Sequence, residues 1–208
     1  MFLCGNPLPW VTEGLYLGYQ LTNKYDGMQT DILQKRGKYI QRNCELQQEF
    51  SFCHPSTKFT INNIYNSSMM GSQIWNLFSK QAEMLENSWN VSVRTMFNLP
   101  MRTHRYFIEQ ISQYPHLKVI LIKRFLSFIE KIRNGRKSIL KHILEAIELD
   151  CRSTTGNNLR QIMLLVGKDD IRNLQPSDSM SIRYHPIKED DAWKVSLIQE
   201  LVELKTIN

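Results

Sequence analysis

The stretch that most restricts how this chain can fold is residues 116–133, HLKVILIKRFLSFIEKIR. Leu117, Ile120, Leu121, Phe125, Phe128, Ile129 and Ile132 recur at helical spacing and make one wide apolar face. Val119, Ile122 and Leu126 spread onto the other sides, and a helix that is apolar on most of its circumference must be covered by neighbours. The rest of the sequence supplies those neighbours. Met28, Ile32, Tyr39 and Leu46 share one band of a helix that starts at Met28. Pro55 opens a second, expected to run to about Phe78 with Ile61, Ile64, Tyr65 and Trp75 as its core side. Met84, Leu85, Trp89, Val93, Met96 and Phe97 carry a third across Glu83 to Phe97, stopping before Pro100. A short segment at 103–112 comes next; helices at 138–149 and about 157–166 follow the central one. Trp193, Val195, Ile198, Leu201, Val202 and Leu204 support a last helix, whereas the polar, proline-bearing residues 168–190 give no assignment.

The fold class predicted is mainly α, a multi-helix bundle with a short N-terminal β appendage. The exception is LYLGYQLTNKYDG, residues 15–27. Leu15, Leu17 and Tyr19 alternate with Tyr16, Gly18 and Gln20, which predicts a strand over 15–22. Asn23 to Gly27 then reads as a polar turn.

With 208 residues, 42% hydrophobic and 22% charged, the chain is long enough to bury a sizeable core and too apolar for wholesale disorder. No apolar run approaches the roughly 20 residues that cross a bilayer. MFLCGNPLPW lacks both the basic start and the apolar stretch of a signal peptide. The expectation is a soluble intracellular protein, cytoplasmic or nuclear, with no membrane partner. Cys4, Cys44, Cys53 and Cys151 form no C-x-x-C pair, which fits a reducing compartment and gives no zinc site.

Sites for chemistry are few. Asp169-Asp170 and Asp190-Asp191 are acidic doublets of the kind that hold metal ions in polymerases, but two-metal catalysis needs a further carboxylate bringing two ions within about 4 Å. No strand is placed to present one, and both doublets suit helix N-termini. The five histidines are scattered without metal or nucleophile spacing. CRSTTGNNLR, residues 151–160, offers Ser153, Thr154 and Thr155 with Arg152 and Arg160; it either meets a phosphate or merely caps a helix. No catalytic residue, metal ligand or cofactor is predicted.

Basic clusters carry the stronger signal. Net charge is +6, from 26 basic and 20 acidic residues, which favours an acidic partner without requiring one. Lys35, Lys38 and Arg42 make a stripe beside the apolar band of the first long helix, and Tyr16, Tyr19 and Tyr39 are aromatic residues close to it in sequence. Lys131, Arg133, Arg136, Lys137 and Lys141 form a second cluster. Cations that track phosphates, with aromatics nearby, hold a nucleic-acid strand without reading bases, while a solvated helix face explains each cluster taken alone.

LYLGYQLTNKYDG followed by MQTDILQKRGKYIQRN resembles the segment after the palm in LINE-type (non-LTR) retrotransposon reverse transcriptases. IYNSSMMGSQIWNLFS, MLENSWNVSVRTMFNLPMRTHRYFIE and RSTTGNNLRQIMLL are similar to the carboxyl-terminal region of such RNA-directed DNA polymerases. The resemblance covers residues from about 10 to 205. It implies that Tyr16-Leu17-Gly18 corresponds to the primer grip, that residues 1–27 are a palm remnant, that 28–112 form a thumb-like region, and that 113–208 form a carboxyl-terminal helical region. Together with the basic clusters, it leads to the expectation that Lys35, Lys38, Arg42, Lys131, Arg133, Arg136 and Lys137 contact the backbone of an RNA–DNA hybrid or duplex, weakly and without sequence preference. The family's Tyr-x-Asp-Asp motif does not occur in this sequence. The expectation is therefore a non-catalytic fragment of a retrotransposon polymerase, from an amino-terminally truncated copy. Two alternatives stay open: a helical protein-interaction module with no nucleic-acid role, and part of an active enzyme whose palm is encoded upstream.

Overall fold

A computed structural model describes residues 2–3, 6–7, 12–16, 19–22, 27–66, 69, 71–112, 114–149 and 152–182. The molecule is mainly helical: α1 (Gly27–Glu49), α2 (Pro55–Asn66), α3 (Lys80–Met96), α4 (Arg105–Ser112), α5 (Leu117–Asn134), α6 (Ser138–Leu149) and α7 (Thr154–Val166). Three 3-10 stretches, Ser72–Ile74, Ile171–Asn173 and Pro176–Ser181, fill the gaps. Ahead of α1 lie two antiparallel pairs, β1 (Phe2–Leu3) with β2 (Asn6–Pro7) and β3 (Glu13–Tyr16) with β4 (Tyr19–Thr22). A single strand over 15–22 is not what forms. Tyr16 pairs with Tyr19 and Glu13 with Thr22, so the chain reverses within the stretch expected to be continuous. The expected last helix after residue 192 lies outside the described residues.

The central helix is α5, as its composition requires. Leu121, Ile122, Phe125, Leu126 and Ile129 are buried in a core that runs without a break from Ile32 on α1 to Leu174. That core joins the expected thumb-like region to the carboxyl-terminal one. Phe59 anchors its middle, with its ring edge-on to Trp89 at 6.2 Å and to Tyr114 at 5.7 Å and tilted against Phe97 at 5.9 Å.

Two helix ends show how local chemistry sets the boundaries. Ser79 caps α3, its hydroxyl accepting the Ala82 amide at 3.2 Å. At the other end Asn98 takes a left-handed conformation (φ 50°), and the Leu99 amide returns to the Arg94 carbonyl at 2.8 Å. This closes the helix as glycine usually does, and Asn tolerates that conformation better than most residues. The second helix, by contrast, is shorter than its periodicity suggests. It ends at Asn66, and Gly71, at φ 96°, turns the chain into the 3-10 stretch Ser72–Ile74. Trp75 is fully buried as expected, though from an extended segment, while Ile64 is 66% exposed.

Asn158 on α7 holds that extended segment. Its side-chain amide donates to the Trp75 carbonyl at 2.7 Å and its oxygen accepts the Leu77 amide at 3.1 Å. Trp75 in turn donates its indole N–H to Asp31 on α1 at 2.8 Å. One polar chain thus crosses the interior from α7 to α1, with every member buried.

Candidate nucleic-acid interface

On α1, Ile32, Tyr39 and Leu46 are buried at seven-residue spacing. Two turns of helix return each to the same side. Met28, expected on the same band, is exposed. Lys38 and Arg42 lie on the exposed side and Lys35 at its half-buried margin. The remaining cation of this stretch, Arg36, is tied inward: its Nε donates to Ser88 of α3 at 2.8 Å. The expected stripe therefore stays together beside the buried band of α1. β4 lies against α1. Tyr16 ends β3, and Leu17 and Gly18 fall outside the described residues.

The second cluster does not stay together. Lys131, Arg136 and Lys137 are exposed, the last two in the turn between α5 and α6. Arg133 is half-buried and committed to holding the fold. Its guanidinium donates to the carbonyls of Ile171 (3.1 Å), Arg172 (3.2 Å) and Leu174 (3.3 Å), and pairs with Glu148 of α6 at 2.8 Å. A planar fork with several fixed donors is suited to collecting the carbonyls that a short 3-10 turn leaves over. Spacing alone grouped Arg133 with its neighbours; only the position of residues 171–174, far along the chain, separates it from them.

The two ambiguous motifs are caps. Ser153 accepts the Gly156 amide at 3.0 Å and starts α7. Asp170 accepts the Arg172 amide at 2.9 Å and starts the 3-10 stretch Ile171–Asn173. Asp190 and Asp191 lie outside the described residues. Among the described residues, no three His, Cys, Asp or Glu side chains are grouped so as to hold a metal ion. Cys44 and Cys53 are free thiols. Among the described residues no helix is long and apolar enough to cross a membrane.

One buried polar cluster went unread in the sequence. His116, fully buried at the start of α5, has Nδ1 3.8 Å from Glu86 of α3 and Nε2 4.0 Å from Glu109 of α4; Arg105 stands 3.8 Å from the same Glu86 oxygen. Glu109 also accepts the His116 backbone amide at 2.9 Å. Burial pushes the imidazole below its ordinary value of 6.5, against the pull of Glu109 and Glu86 in the other direction. The cluster joins α3 and α4 to the start of α5. Its effect is on stability. Below about pH 6.5 the unfolded chain takes up a proton that the folded one resists, so stability falls as pH drops towards the folded value, by at most about 1.4 kcal/mol per pH unit. Above about 6.5 the ring is neutral in both states and adds no slope. Urea unfolding at pH 7.5 and 5.5 should show this loss, and His116→Gln should reduce it; an equal loss in both proteins would move the cause elsewhere.

A scan against protein-family models, a search of curated proteins and a search of solved structures each found no match to this chain.

Proposed function

We propose that this protein holds the sugar–phosphate backbone of paired nucleic acid, an RNA–DNA hybrid above all, in the manner of the primer-grip and thumb region of a LINE-type reverse transcriptase, and that this chain performs no polymerisation itself. The observation that supports it is the outward stripe of α1. Lys38 and Arg42 are exposed and Lys35 is half-buried, all beside the band of Ile32, Tyr39 and Leu46 that locks the helix into the core. A rigid row of cations one to two turns apart can meet successive phosphates, and such contacts carry no base information. The resemblance of the sequence blocks supplies the family, and the lack of a Tyr-x-Asp-Asp motif supports the non-catalytic part.

Binding to a labelled RNA–DNA hybrid, followed by anisotropy over a range of salt, tests the reading. Each neutralised phosphate contributes a slope of about −0.9 in log K against log salt for B-form duplex. Replacing Lys35, Lys38 and Arg42 together by glutamine should flatten the slope by as much as about two to three units, with helicity unchanged by circular dichroism. A slope that the triple change leaves intact would reduce the stripe to a solvated face. Association with a protein partner that salt does not weaken would favour an interaction module instead.

A further inference from the structure

We infer that the outer side of α5 is a separate binding groove for single-stranded nucleic acid, a ligand class distinct from the paired substrate assigned to α1. The sequence pattern predicts Ile120 and Phe128 in the core, but they sit differently: Ile120 is half-buried and Phe128 is 38% exposed. The reason is the neighbouring residues. Lys123, Arg124, Ser127, Phe128 and Lys131 fall on one arc of the helix, at spacings of three, four and seven residues, and polar side chains keep that arc out of the core. The arc forms one wall of a groove of about 540 Å³. Tyr114 and Pro115 close it at the start of α5, and Gln73 and Met180 come from the flanking 3-10 stretches.

The chemistry of the lining selects the occupant. Three cations line the groove and no carboxylate does; Glu130, the single acid of α5, is not part of the lining. The basic groove therefore complements a polyanion. Two aromatic rings stand open within it, Tyr114 at 41% and Phe128 at 38% exposed. Tyr114 is held in place because its ring packs edge-on against Phe59 at 5.7 Å. Phosphates alone would need only the cations. Exposed rings between cations match unpaired bases, whose faces are available for stacking, whereas a duplex hides those faces. The aromatic components distinguish this groove from the α1 stripe, whose exposed positions are cationic.

The inference rests on the proposed nucleic-acid role, and the two can fail separately. The 208-residue chain is titrated into fluorescein-labelled rU12, dT12 and a 12-base-pair RNA–DNA hybrid, with polyglutamate of matching charge as a competitor. Single strands should bind, and Phe128→Leu should weaken that binding about tenfold, the effect of losing one stacked base, with hybrid affinity unchanged. Lys123→Gln with Lys131→Gln should flatten the single-strand salt slope by up to about 1.4 units, at about 0.7 per phosphate. Both positions are exposed, so this pair tests the groove even if the aromatic variant misfolds. Absence of single-strand binding, an unchanged affinity in folded Phe128→Leu, or equal displacement by polyglutamate would overturn the groove even with hybrid binding intact. Hybrid binding that ignores the α1 triple change, alongside single-strand binding that follows the α5 variants, would sink the α1 reading alone.

Discussion

Asn158→Ala should destabilise the protein by about 2–6 kcal/mol, measured as a lowered midpoint in urea with an unchanged slope. The truncation removes the partner of two buried backbone groups, the Trp75 carbonyl at 2.7 Å and the Leu77 amide at 3.1 Å. Each such group left without a partner costs about 1–3 kcal/mol. Asn158 is fully buried, so water does not replace the lost bonds without opening the core. Asn158→Asp should do nearly as much damage, since it keeps the acceptor for Leu77 but sets a carboxylate oxygen against the Trp75 carbonyl. A loss below about 1 kcal/mol for the alanine variant would mean that residues 75–77 are held by their apolar contacts and that the two bonds are incidental.

The second large effect is expected at Arg133. Its guanidinium satisfies three carbonyls and one carboxylate at once, and bonds to a charged donor contribute about 1.5–3 kcal/mol each when well shielded. The side chain is 23% exposed, so screening cuts the total well below the sum. Arg133→Ala should cost about 2–4 kcal/mol in urea unfolding and leave the salt slope of nucleic-acid binding as it was. Lys137→Ala, at an exposed position, should not change stability measurably. A flattened salt slope in a folded Arg133 variant would restore that residue to the binding surface and contradict its assignment to the fold.

These two residues mark where the sequence is legible and where it stops being so. Apolar periodicity located α3, α5 and the start of α1 to within a few residues, because burying a helical face dictates the spacing of Ile32, Tyr39 and Leu46 or of Leu85, Trp89 and Val93. The end of α2 was misjudged because Ile61, Ile64 and Tyr65 set a helical rhythm right up to Asn66, where the helix stops. Trp75, buried through contacts with α1 and α7, resembled a continuation of that rhythm. Nothing local reports that Asn158 reaches back to residue 75, or that Arg133 belongs to residues 171–174. Such pairings are set by the packing of helices. The groove on α5 left a fainter trace. Lys123, Ser127 and Lys131 recur every four residues along a helix otherwise read as covered on most sides. Weighing that stripe against the apolar count would have shown one side open to solvent.

The Asn158 bridge also puts a delay into the making of the protein. Its two bonds connect residues 81 and 83 positions apart. At the roughly 5–20 residues per second of protein synthesis, about 4–17 s separate the appearance of Trp75 from that of its partner. Over that interval the nascent chain carries a tryptophan and two backbone groups whose native place does not yet exist. α3 and α4 emerge in that time, together with the strongly apolar α5 and with α6, ahead of the residue that fastens the segment before α3. The order of synthesis thus leaves Trp75 and its segment waiting on α7, which makes this a period in which the growing chain most needs protection from its neighbours.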